Sequence, residues 1–65
     1  MVKFPNVVVS LTEEDGNAFA ILARVSKAMR KNGVDPEDIA DYRKNAVFGD
    51  YNHLLQVTMQ TVNVE

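Results

Sequence analysis

His53 is the one side chain in this sequence whose ordinary pKa lies near neutrality, so any general base at physiological pH starts with it. Nucleophilic catalysis needs a hydroxyl or thiol within hydrogen-bond reach of that base, and a third group to orient it. Cysteine is absent, which leaves Ser10, Ser26 and the threonines. Ser10 falls in a predicted strand and Ser26 in the middle of a predicted helix. His53 falls on the first turn of the last helix, opposite its apolar stripe. The pattern assigns no catalytic residue, and the expectation for His53 is a solvated or contact-making side chain.

Metal chemistry is equally poorly served. With one histidine and no cysteine, a structural zinc site is excluded. Glu13, Glu14 and Asp15 are consecutive, whereas a calcium loop wants oxygen ligands at alternate positions, a central glycine and a late glutamate. The next glutamate is Glu37, so the cluster reads as a solvated turn. Gly16 before a helix resembles an anion-binding turn, but three adjacent carboxylates repel phosphate. Neither a metal nor a cofactor is expected.

Binding surfaces are better represented. Lys, Arg, Asp and Glu make up 25% of the chain, yet residues 51–64 carry no formal charge. On a helix they place Asn52, His53, Gln56, Gln60 and Asn63 on the face opposite the apolar one. Solvated helices normally carry Lys and Glu there. Neutral groups that both donate and accept hydrogen bonds point instead to a face covered by another protein. A second surface is cationic. Arg24, Lys27 and Lys31 fall at i, i+3 and i+7, with Arg30 about 60° round the helix, close enough to form a patch for an anionic partner. Its bland reading is positive charge favoured near a helix C-terminus.

Short turns between the helices raise a helix-turn-helix possibility, with amides and His53 of the last helix reading base edges. That helix offers no Arg or Lys for phosphates, which supply most nucleic-acid affinity. The net charge of −2 and pI near 5.2 work in the same direction. The function expected is therefore a non-catalytic protein–protein interaction module. The alternative is a weak nucleic-acid-binding protein that uses the first and third helices.

The elements that must position these groups are legible from period and punctuation. Residues 4–11 are rich in β-branched residues and read as a strand, with Val7, Val9 and Leu11 on one face and Val8 and Ser10 on the other. Pro5 donates no ladder bond and sets this strand at an edge. Its partner is either residues 61–64 or the same segment of another chain.

Asp15 or Asn17 caps a first helix over residues 17–32, which Gly33 stops. Ala18, Phe19, Ala20, Ile21, Leu22 and Ala23 are apolar on nearly all sides, and are expected at the centre of the core with Val25 and Met29. Asp35, Pro36, Glu37 and Asp38 open a second helix with Ile39, Tyr42, Ala46 and Val47 inward, ended by Gly49. Asp50 caps a third, lined inside by Tyr51, Leu54, Leu55, Thr58, Met59 and Val62. The fold class is mainly α: a short N-terminal strand, then a three-helix bundle, with a short C-terminal strand able to pair with the first.

Sixty-five residues make a single domain, near the lower limit for unaided folding. Such domains lean on disulfides, metals or a partner chain, and here a second copy of the chain is the remaining staple. A homodimer is expected. The apolar runs fall well short of the ~20 residues of a membrane span, and Pro5 interrupts the region where a secretory signal would place its apolar core. The chain reads as soluble and cytoplasmic, with no membrane partner.

Two runs carry a resemblance. Asp-Gly-Asn-Ala-Phe-Ala-Ile-Leu at residues 15–22, and Gly-Asp-Tyr-Asn-His-Leu-Leu at residues 49–55 with the valine-rich end, resemble a group of small uncharacterised bacterial and phage proteins. The likeness covers residues 11–65 and implies a prokaryotic or phage origin. It implies no activity and carries over no catalytic or binding residue. A fainter likeness, through residues 29–34 and then Leu54 and Leu55, is to ubiquitin-associated three-helix domains. Those carry a Met-Gly-Phe-type loop where this chain has Asn32, Gly33 and Val34, and the leading strand is foreign to them.

Overall fold

The valine-rich N-terminal segment finds its backbone partner inside the same chain. The computed structural model, which describes residues 2–11 and 17–65, runs β1 (Phe4–Val9), α1 (Ala18–Lys31), α2 (Pro36–Ala46), α3 (Tyr51–Thr61) and β2 (Val62–Val64). The turn and metal readings of Glu13, Glu14 and Asp15, and the Asp15 cap, lie outside the described residues. β1 and β2 form a parallel pair, with Phe4 opposite Val62, Val8 opposite Asn63 and Val9 opposite Val64. Parallel strands need a long crossover; here all three helices form it.

Pro5 lacks an N–H, and the register slips between Phe4 and Val8. Asn63 repairs the gap: its Nδ2 donates to the Pro5 carbonyl at 2.7 Å. Lys3 N donating to Gln60 O and Glu65 N donating to Val9 O, both at 2.9 Å, extend the pairing at its two ends.

Helix ends follow the capping chemistry of the sequence. Asn17 Oδ1 accepts from Phe19 N at 2.9 Å and starts α1. At its far end Gly33 adopts φ +78°. Gly33 N then donates to Arg30 O, and Val34 N to Met29 O. This pair of bonds is a Schellman motif, which satisfies the last carbonyls of the helix. Asp35 occupies the N-cap of α2 without a side-chain bond, its backbone carbonyl accepting from Ile39 N at 3.1 Å. Asp50 Oδ1 accepts from His53 N at 2.9 Å and opens α3.

The core gathers Val7, Val9 and Val62 from the strands, Ile21, Leu22, Val25 and Met29 from α1, Ile39, Tyr42 and Ala46 from α2, and Leu54 from α3. A polar relay crosses it. The single hydroxyl proton of Thr58 goes to Leu54 O at 2.8 Å, so the Tyr42 hydroxyl donates to Thr58 Oγ1 at 2.7 Å. Burial raises the pKa of Tyr42, partly offset by the Thr58 bond and by Arg43 nearby. Ser26 is buried in α1, and its hydroxyl has no hydrogen-bond partner among the described residues.

Six expected core residues lie outside, four of them large. Phe19 is 77% exposed, Met59 61%, Val47 57% and Tyr51 42%. Ile21, Leu22, Val25 and Met29 occupy the inner stripe of α1, and at 100° per residue Phe19 falls about 105° from its centre. Ala20 and Ala23 also face solvent. Met59 falls about 120° from the inner stripe of α3 set by Leu54, Thr58 and Thr61. Val47 follows the last residue of α2, and Tyr51 sits at the open end of α3.

Candidate functional site

Helices α1 and α3 touch only sparingly, whereas α2 packs closely on α3. Where α1 begins and the α2–α3 turn passes, a recess of about 210 Å³ is lined by Ala18, Phe19 and Leu22 of α1, Ala46 and Val47, and Asp50, Tyr51 and Leu54 beyond Gly49. Leu22 and Leu54 are buried and make its floor. Phe19, Val47 and Tyr51 are exposed on its walls, and Phe48, 88% exposed, projects from the turn. Two of the chain's three phenylalanines are thus in solvent on one end of the molecule.

The turn that presents Phe48 is held from both sides. His53 Nε2 lies 2.9 Å from Asn45 O, which ties the end of α2 to the start of α3. The Asp50 cap bonds the backbone of that same His53. Gly49 fits beneath the imidazole, where a Cβ would stand 2.9 Å from His53 Cβ and Cγ. A glycine is required there by close approach. The aromatic side chain is therefore carried on a fixed support.

The uncharged face of α3 is only partly free. Asn52, Gln56 and Gln60 are exposed, with Met59 among them, and Gln56, Met59, Gln60 and Val2 border a shallow hollow of about 280 Å³. His53 is half-buried and bonded to Asn45, and Asn63 is bonded to Pro5. Both side chains have structural partners that linear spacing did not reveal.

Among the cations, Arg24, Lys27, Arg30 and Lys31 are all exposed along α1. The Arg24 Nη1 donates to Ser10 O at 2.9 Å and so fastens α1 to the segment following β1. A further cleft of about 240 Å³ lies between the start of β1, α2 and α3, edged by Lys3, Asp38, Asp41 and Asn45. The Tyr42 hydroxyl on its wall is already committed to Thr58. Among the described residues no cluster of three or more His, Asp or Glu could hold a metal ion, and no hydroxyl is paired with the His53 ring. No helix among them is long and apolar enough to cross a membrane.

Sequence reasoning missed Phe19, Val47, Phe48 and Tyr51 as surface groups. One signal was present: Phe48 stands in a short connection beside Gly49, outside any apolar period that could bury it. No family model matches this chain, and no curated protein or solved structure matches it.

Proposed function

We propose that this chain is a small non-catalytic protein–protein interaction module, of bacterial or phage origin, whose contact surface is the recess between α1 and the α2–α3 turn. The observation that carries this reading is the ring of exposed Phe19, Val47, Phe48 and Tyr51 around a recess floored by Leu22 and Leu54. Contiguous exposed apolar surface on a soluble domain marks contact sites, and aromatic anchors dominate the energy of such contacts. Burying an exposed phenylalanine contributes about 1.5–3 kcal/mol, so leaving two in water without a partner is an expensive arrangement. The bonded turn supports the same reading, since a backbone already held in place loses less freedom on binding.

The exposed aromatic groups ring an apolar recess with no Lys or Arg among the described residues of its lining, and α3 has no cation for phosphates. The protein-binding reading is favoured for that reason. Its test is a benzophenone amino acid at position 48 in cells of the native host, with position 27 as the control. Position 48 should give a discrete covalent protein adduct on illumination and position 27 should not. Equal, diffuse labelling from both positions would sink the reading.

A further inference from the structure

The recess and the side chain that could fill it belong to one surface, and this geometry names the occupant. Phe48 projects beside the recess but is not among the residues that line it. The His53 bond to Asn45 and the Asp50 cap hold its turn in place, and the ring, 88% exposed, does not cover its own Leu22 and Leu54. A surface carrying both a projection and an adjacent hollow is self-complementary under a two-fold axis, where each copy's projection enters the other's hollow. We infer that the partner is a second copy of this chain, docked isologously, with the Phe48 ring of one copy in the recess of the other. This rests on the recess being an interaction site.

Size supports the match. The recess holds about 210 Å³, and an apolar cavity of about 150 Å³ suffices to take up benzene, so a phenyl ring fits with room for its methylene. Area supports it too. At roughly 200 Å² per aromatic side chain, Phe19, Val47, Phe48 and Tyr51 leave about 500 Å² of apolar surface open. A homodimer of ordinary size takes about 800 Å² from each partner, about two-thirds of it apolar. Those four side chains supply nearly all the apolar area that one partner must contribute.

Among the described residues, charge offers little opposition to the pairing. Asp50 is the single formally charged residue among them that lines the recess. Its carboxylate accepts from His53 N at the positive end of α3, which offsets its charge before a second Asp50 approaches. The arrangement also supplies the staple that a domain of 65 residues without cysteine needs.

Sedimentation equilibrium of the full chain from micromolar to millimolar concentration tests this, together with filtered nuclear Overhauser spectra on a mixed-label sample. The wild type should sediment at twice its 7.3 kDa mass, with intermolecular contacts from the Phe48 ring to Leu22 and Leu54 methyls. Phe48→Asp should raise the dissociation constant at least about tenfold, equivalent to ~1.4 kcal/mol, with an unchanged helical signal. Phe48→Ala is the milder variant should an acid disturb the turn. A dimer that tolerates both substitutions overturns the inference. A wild type that stays monomeric while position 48 cross-links a different protein also overturns it, and leaves the interaction reading standing. A monomer with no specific adduct at position 48 removes both.

Discussion

The two seams that α3 makes with its neighbours are built on opposite plans. Against α2 it is pinned by hydrogen bonds, with a polar-edged cleft toward the start of β1: the Tyr42 hydroxyl reaches Thr58, and His53 reaches the Asn45 carbonyl. Against α1 it is open, floored by Leu22 and Leu54 and walled by aromatic groups in water. The pinned seam uses polar groups whose directional bonds fix one arrangement, and each has its partner. The open seam uses apolar groups with no directional demand, which any complementary surface can satisfy. Stability and the proposed recognition are thus assigned to different sides of one helix. The same helix end serves both, because His53 pins one seam and steadies the turn that borders the other.

The largest expected effect compares two residues of α1 three positions apart. Leu22→Ala should cost about 2–5 kcal/mol, comparable to the whole stability of so small a domain. Phe19→Ala should change monomer stability by no more than about 0.5 kcal/mol, since its side chain is already in water. Chemical denaturation of both variants checks this, and equal losses would show that the open seam is part of the core.

A smaller loss is expected in the pinned seam. Thr58→Val leaves the Tyr42 hydroxyl buried without an acceptor, which costs about 1–3 kcal/mol. The seam also has a pH signature. Because burial raises the Tyr42 pKa, the folded state favours the protonated phenol more than the unfolded state does. The corresponding stability is complete below the ordinary tyrosine value of 10.0 and is lost as pH rises through the higher folded value. Tyr42→Phe should flatten that alkaline decline in urea melts taken on either side of pH 10. A decline as steep as wild type would assign it to another group.

The smallest effect concerns the uncharged outer face of α3. Gln56→Lys with Gln60→Glu should shift stability by no more than about 0.5 kcal/mol, both side chains being exposed. With the recess as the contact surface, the double variant should associate as tightly as wild type. Weakened association with an intact helical signal would move the interface from the aromatic end to this face.

Helix bounds were legible because caps act locally: Asn17, Asp50, Pro36 and Gly33 each declare an end through their own side chain or φ angle. The inward valines of β1 were legible because alternation has a short period. What the sequence left open depends on contacts between distant residues. In a run as uniformly apolar as residues 18–23, composition does not say which side a neighbouring helix will cover, so Phe19 read as core. The role of His53 depends on a carbonyl eight residues away and on a glycine that makes room for the ring. The direction of strand pairing was hidden because β2 begins at the residue where α3 ends, with no turn to announce it.

The parallel pairing of β1 and β2 has a mechanical consequence. Tension applied between the start of β1 and the end of β2 pulls the two strands in opposite directions along their length. Their backbone bonds, together with the Asn63 bridge to Pro5, are then strained side by side in shear, not peeled apart in turn. Because the whole three-helix crossover lies between those strands, it enters the load path only once this clasp fails. Stretched from its ends, the molecule behaves as a short rigid link with a single release point.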